Sequence, residues 1–277
     1  MTRFFDFHSR IKPEYIFRSL VLLKRRISRQ DLTVIVGSSW KVGSTWLFNL
    51  VRDLGYFNSG IKGIPEEYKE FGTILLDKPG ILDFLSHLSG YNIFKTHSYP
   101  VEYQKDSNIR FLTIYRDPRD VVISAIFYAA NIEEYKGGWG KEFRQLSEKD
   151  KIMVFFQRSE VYITKMEKWL ETPTAYSLKY EDLKESPVKE LLSVLDYLGI
   201  ARSESKIKQV IEKNSFETIS GRKPGDEQKD KILRKGIVGD WKNYFDNHQC
   251  IEMFKNAQNG RWNRLLVKMG YEDTLDW

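Results

Sequence analysis

DLTVIVGSSWKVGSTWLFNLVRDLG, from Asp31 to Gly55, divides into three parts. Asp31 to Ser38, with Thr-Val-Ile-Val at its centre, is a short β-branched apolar run bounded by polar and glycine residues, which predicts a buried parallel strand. Ser39-Trp40-Lys41-Val42-Gly43 forms a loop. From Ser44 the spacing of Trp46, Leu47, Leu50, Val51 and Leu54 predicts a helix closed by Gly55. The loop therefore delivers the chain to a helix N-terminus, where unpaired N–H groups and a partial positive charge favour anions. Gly43 permits close backbone approach, Ser44 and Thr45 add hydroxyls, and Lys41 adds a full charge. Two readings stand side by side here, a phosphate loop and an ordinary strand–helix turn with an incidental lysine. The ATPase P-loop is excluded, because no Gly-Lys-Ser/Thr triplet occurs.

Outward from this stretch the pattern repeats. Tyr91 to Lys95, Arg110 to Tyr115 and Ala175 to Lys179 read as further short strands. Asp117-Pro118 provides an N-cap and a proline at the first helical position, opening a helix to about Ala130. Ser186-Pro187 opens another, with Val188, Leu191, Leu192, Leu195 and Leu198 at helical spacing up to Gly199. One long helix is expected over 148–170. Strands alternating with helices predict an α/β single domain: a central, mostly parallel sheet flanked by helices on both faces. Ligands bind such sheets outside the carboxyl ends of the strands, and Lys41, His97 and Arg116 each follow a strand end.

The 277 residues, 41% of them hydrophobic, suffice for one large core, and no linker, repeat or low-complexity tract divides them. Residues 31–277 are expected to form the domain, with 1–30 a basic helical extension whose helix spans about 13–27. Cys250 is the single cysteine, which excludes a disulfide within the chain and a thiolate metal cluster. The four histidines, at 8, 87, 97 and 248, have no ligand spacing, so no metal is expected. His87 reads as a surface residue near a helix end. No apolar run reaches the roughly 20 residues of a membrane span, and the N-terminal charges are ordered wrongly for a signal peptide, so a cytoplasmic protein is expected. The net charge of +6 favours anionic partners. Its 44 basic residues interleave with 38 acidic ones, however, which argues against nucleic acid.

Five segments in order resemble the PAPS-dependent sulfotransferases of the cytosolic type. Lys41 to Trp46 resembles that family's phosphosulfate loop, Pro-Lys-Ser-Gly-Thr-Thr-Trp. Phe94-Lys95-Thr96-His97 resembles the strand carrying the catalytic histidine. Tyr115-Arg116-Asp117-Pro118-Arg119-Asp120, with Ser124 eight residues after Arg116, resembles the 3′-phosphate motif. Tyr180-Glu181-Asp182-Leu183 resembles the segment whose tyrosine faces adenine, and Arg234 to Lys242 the Arg-Lys-Gly…Gly-Asp-Trp motif. The resemblance runs from about Leu32 to Phe245.

It implies sulfuryl transfer from PAPS, with PAP as product, to a small-molecule acceptor. Lys41, Val42, Gly43, Ser44, Thr45 and Trp46 would hold the 5′ end. Arg116, Ser124, Arg234, Lys235 and Gly236 would hold the 3′-phosphate, a task suited to the planar guanidinium. Trp46, Tyr180, Asn214, Ser215 and Phe216 would surround adenine. His97, which titrates near neutrality, would be the base, with Lys41 and Lys95 meeting developing charge. Val42 stands where the family has serine, Ser38-Ser39-Trp40 where it has Thr-Tyr-Pro, and Asn214 where it often has threonine. The family's dimer segment is unmatched, with Asp246-Asn247 for Thr-Val and Ile251 for Glu, so that dimer mode is not carried over. Phe127, Tyr128, Tyr135, Trp139 and Phe143 could line an acceptor cleft or belong to the core, and 131–149 and 217–231 could be lids. The acceptor itself, phenol, alcohol, sterol, sugar or amine, is left open. Competing readings are a P-loop-like phosphotransferase, which would need a lysine after the glycine and a Mg²⁺-holding carboxylate, and a non-catalytic PAP binder.

Overall fold

Strand β1, Leu32–Gly37, shows how the sheet is covered. Val34 and Val36 enter one hydrophobic cluster and Ile35 enters another, as period-2 alternation requires of a strand buried on both faces. The computed structural model describes residues 31–102, 108–131, 139–201, 203–245 and 248–277. The N-terminal extension (1–30), Tyr135, Gly137, Gly138, Asp246 and Asn247 lie outside them.

After β1 come α1 (Ser44–Asp53), the two-residue strands β2 (Lys69–Glu70) and β3 (Thr73–Ile74), α2 (Ile81–Ser86), β4 (Tyr91–Thr96) and β5 (Ile109–Tyr115). Then follow α3 (Pro118–Asn131), α4 (Gly140–Gln145), α5 (Glu148–Arg158), α6 (Glu160–Leu170) and β6 (Ala175–Lys179). The chain closes with α7 (Tyr180–Glu185), α8 (Pro187–Tyr197), α9 (Glu204–Lys213), α10 (Phe216–Ser220) and α11 (His248–Lys268), the last interrupted at Ala257–Gly260. The sheet order is β2-β3-β4-β1-β5-β6, parallel throughout except for the β2–β3 hairpin. The single α/β domain is thus the one expected, with the short hairpin added at its edge.

The helix expected over 148–170 is two helices. They break at Ser159, which is fully buried and whose hydroxyl donates to the Phe156 carbonyl and accepts from Trp262 Nε1 at 2.9 Å. The bond to α11 fixes a residue outside helical geometry. Elsewhere the local signals hold. Asp117 Oδ1 caps α3 by accepting from Arg119 N, and His87 sits exposed at the end of α2.

Register places the site. Gly37 is level with Thr96 on one side and Thr113 on the other, so β1, β4 and β5 end side by side. The chain leaves β1 for β4 on one flank and later reaches β5 on the other. This reversal is where a parallel sheet opens a crevice at its carboxyl edge.

Candidate active site

The loop after β1 turns sharply. Lys41 has φ 66 and Gly43 φ 101. The left-handed region costs a non-glycine residue roughly 1–2 kcal/mol, so the Lys41 backbone is held there by its surroundings. Gly43 is the N-cap of α1, and a Cβ on it would stand 2.6 Å from the Tyr180 ring. Val42 is 1% exposed and belongs to the core, so only its backbone faces the loop. Ser44 is buried, while Thr45 is exposed and accepts a hydrogen bond from Lys95 Nζ at 3.1 Å.

Lys41 Nζ lies 4.0 Å from the centre of the Tyr128 ring. Burial, with repulsion from Arg116, Arg234 and Lys95, pushes its pKa down to about 8. Burial also lowers Lys95. Beside them, His97 Nδ1 is 3.2 Å from the Ser38 carbonyl. A carbonyl only accepts, so Nδ1 carries the proton and Nε2 keeps its lone pair. Burial pushes His97 down to about 4, against the Ser38 hydrogen bond that raises it and with Lys95, Lys165 and Lys41 that lower it. The imidazole is therefore neutral at pH 7 and able to accept a proton at Nε2.

A second group of cations gathers around Arg116. Its Nη2 donates to Asp120 Oδ2 at 2.9 Å and to the Ile237 carbonyl at 3.0 Å, and its guanidinium lies 4.5 Å from the Tyr180 ring. Its Nε is buried without a hydrogen-bond partner in the described structure, a donor available to a phosphate oxygen. Arg234 pairs with Glu227 and Asp240, and Lys235 with Asp240 at 2.7 Å. Burial alone would raise Asp240, but hydrogen bonds from Lys235 and Arg234 hold its carboxyl below the usual range. Gly236, at φ 67, passes so close to Phe216 that a Cβ would stand 2.4 Å from the ring. Ser124 is half-buried on α3.

Between the groups, Trp46 meets Tyr180 edge-on at 5.6 Å and donates from Nε1 to the Asn214 carbonyl at 3.0 Å. Asn214 Nδ2 is occupied by Asp53 and Val210 O. The Ser215 hydroxyl caps α10 by accepting from Thr218 N. These two side chains hold the segment that presents Phe216. The expected residues thus collect into two groups, one of Lys41, Gly43, Ser44, Thr45, Lys95 and His97 and one of Arg116, Arg234, Lys235 and Gly236, with aromatic rings at both. Such a set suits a ligand with two anionic ends and an aromatic base. Among the described residues no three His, Cys, Asp or Glu side chains come together as metal ligands.

Sequence reasoning missed several participants. Asp120 accepts from Gly239 N at 2.8 Å and Trp241 N at 2.9 Å, tying the Gly-Asp-Trp segment to the helix behind Arg116. Its place inside the quoted motif was the available signal. Lys184 donates to the Gly236 carbonyl at 2.5 Å, and Lys165 to the His97 carbonyl; nothing in their spacing distinguishes them from surface lysines. Of the aromatic residues considered for the acceptor, Phe143 is core and Trp139 packs on Phe143 and Phe155. Phe127 lies under Arg234, and Tyr128 serves Lys41.

The family model described as a sulfotransferase domain matches residues 77–261, well over half of the chain. Human sulfotransferase 6B1 is 26% identical over 255 residues, covering 86% of this chain and 80% of that protein. Bovine sulfotransferase 1E1 is 27% identical over 246 residues, covering 79% of each. The crystal structure of mouse sulfotransferase SULT7A1 complexed with PAP superposes with a TM-score of 0.57 at 20% identity, over 92% of this chain and 95% of that one. A complex of retinol dehydratase with androsterone and inactive cofactor PAP gives 0.53 at 22% identity, over 89% and 85%. At those identities the structures speak for the fold, and the family model decides membership: the chain belongs to the sulfotransferase family.

Proposed function

We propose that the protein transfers a sulfuryl group from PAPS to the hydroxyl of a small molecule and releases PAP. The observation that carries this reading is the pairing of two partly buried cation groups with a neutral histidine. Lys41 and Lys95 stand beside His97, and Arg116, Arg234 and Lys235 surround the Gly236 turn. PAP in the mouse and retinol dehydratase complexes is consistent with it.

In this reading Lys41, the N–H groups after Gly43 and the Thr45 hydroxyl hold the 5′ end. Arg116 Nε, Ser124, Arg234, Lys235 and the Gly236 backbone hold the 3′-phosphate, and Trp46, Tyr180 and Phe216 enclose adenine. Asn214 and Ser215 act as supports. The donor supplies a sulfuryl group on a phosphate leaving group. His97 Nε2 takes the acceptor's proton as its oxygen bonds to sulfur and the sulfur–oxygen bond to the 5′-phosphate breaks. Lys41 meets the charge that appears on the departing oxygen, and Lys95 the charge on the remaining ones. Because the cations already lie in a dehydrated setting, little reorganisation accompanies the step.

The 1–30 extension as a separate element of a 31–277 domain, and a cytoplasmic site of action, belong to the same proposal. The single, buried Cys250 suits a reducing compartment. Among the described residues no helix is long and apolar enough to cross a membrane.

The test is incubation of the full chain with PAPS and a panel of phenols, alcohols and amines, following PAP release and the sulfated product by mass spectrometry. Sulfated product that depends on His97 is expected. PAPS bound but never turned over with any acceptor would favour the non-catalytic binder.

A further inference from the structure

Ser38-Ser39-Trp40, the segment that departs from the family pattern, is spent on seating His97. The Ser38 carbonyl receives His97 Nδ1. The Ser39 hydroxyl donates to the Tyr162 carbonyl on α6 at 3.1 Å. The Trp40 ring lies 5.0 Å from Tyr162 and 6.1 Å from the His97 ring. Against its face, 3.8 Å from the centre, stands the ammonium of Lys165, which also donates to the His97 carbonyl at 2.5 Å.

Lys165 is 8% exposed and, among the described residues, has no carboxylate within ion-pair distance. The groups around it are known. Asp77 acts on it from the loop after β3 and Glu70 from β2 at the sheet edge, and Tyr99 offers a second ring at 5.3 Å. Around His97 itself stand Lys41, Lys95 and Lys165, all cationic. Burying an ammonium with no carboxylate in contact is costly, and burial, against the pull of Asp77 and Glu70, lowers its pKa to about 8. A methionine would fill the same volume without that cost, so packing alone does not account for lysine here.

We infer that Lys165 is a positioning residue for His97: it pins the carbonyl of the base to the Trp40 ring, and its charge sets the basicity of the imidazole. The catalytic meaning of this role rests on the sulfuryl-transfer reading, but its test does not. A like charge nearby disfavours the protonated imidazole, so removing Lys165 raises the His97 pKa. Loss of the carbonyl anchor also loosens the Nδ1–H tautomer.

The experiment is a ¹⁵N-histidine NMR titration of the full chain, with His97 among the four histidines identified by His97→Gln. In Lys165→Met the His97 midpoint is expected to rise by about half a pH unit or more, with Nε2 no longer uniformly the unprotonated nitrogen. Lys165→Arg should keep the wild-type midpoint. Lys165→Gln keeps a donor but no charge, so it should raise the midpoint while preserving the tautomer, and it carries the test if the methionine chain does not fold. A midpoint unmoved in folded Lys165→Met or Lys165→Gln overturns the inference. Failure of the wild type to bind PAP would instead overturn the sulfotransferase reading and leave the titration standing.

Discussion

The two cation groups of the site are built in opposite ways. Around His97, lysines rest on uncharged partners: Lys41 on the Tyr128 ring, Lys95 on the Thr45 hydroxyl, Lys165 on Trp40 and a carbonyl. Around Arg116 the cations are locked by carboxylates, Arg116 by Asp120, Arg234 by Glu227 and Asp240, and Lys235 by Asp240. In the first group the pKa values of Lys41, Lys95 and Lys165 are all lowered; in the second those of Arg116 and Arg234 are raised. A lysine without a counter-ion in a dehydrated place interacts strongly with any anion that arrives or develops there. An arginine already held by a carboxylate offers a fixed fork instead. In the proposed reaction, charge change belongs to the first end and grip to the second.

Breaking the first end should cost the most activity. His97→Ala is expected to reduce turnover by about 10²–10⁴-fold, the contribution of a positioned base, while PAP affinity measured by calorimetry stays near that of the wild type. Equal losses in both would mean that His97 holds the nucleotide rather than the proton.

Breaking the second end should reverse that signature. Arg116→Ala removes the donor proposed for the 3′-phosphate and leaves Asp120, which is 2% exposed, without its guanidinium. A buried charge stripped of its partner costs about 3–5 kcal/mol, so a fall in PAP affinity of about 100-fold or more and a lower melting temperature are expected. Gly236→Ala tests the same end more gently. The added methyl would press on Phe216, and PAP affinity should fall by roughly tenfold, on the order of 1–2 kcal/mol of left-handed strain, with little change in how acceptors are processed.

The contrast also predicts a pH dependence. In the proposed site Lys41, its pKa lowered to about 8, must be protonated to meet the 5′-phosphate. Binding an anion restores its pKa upward, so PAP affinity should be flat just below pH 8 and fall as pH rises through it, approaching tenfold per unit. Isothermal calorimetry between pH 7 and pH 9.5 reads this directly, and Lys41→Arg should abolish the slope because guanidinium stays charged. The smallest effect is expected at the rim. Glu148 and Lys229 form an exposed pair at 3.1 Å, and Glu148→Gln should change stability by no more than about 1 kcal/mol and leave PAP affinity alone.

The turns that carry the site's cations were legible in the sequence, but the carboxylates that lock the second end, Asp120, Glu227 and Asp240, were not. Glycine, proline and basic residues at strand–helix junctions act locally, so the Lys41 loop, the Asp117-Pro118 cap and the Arg234-Lys235-Gly236 turn announce themselves. The seat of His97 was not. Lys165 lies on an amphipathic helix, where a lysine ordinarily marks the wet face, and only the packing of α6 on Trp40 turns it inward. The break at Ser159 is hidden for the same reason, since its cause, Trp262, is 103 residues away. The two-residue strands β2 and β3 are too short to show a period.

Calorimetric titration of the full chain with PAP in the absence of added metal tests the two-ended site most directly. The account predicts saturable binding, strongly weakened in Arg116→Ala and nearly unchanged in His97→Ala. Failure to bind PAP, together with binding of ATP that requires Mg²⁺, would contradict it and favour a nucleotide phosphotransferase.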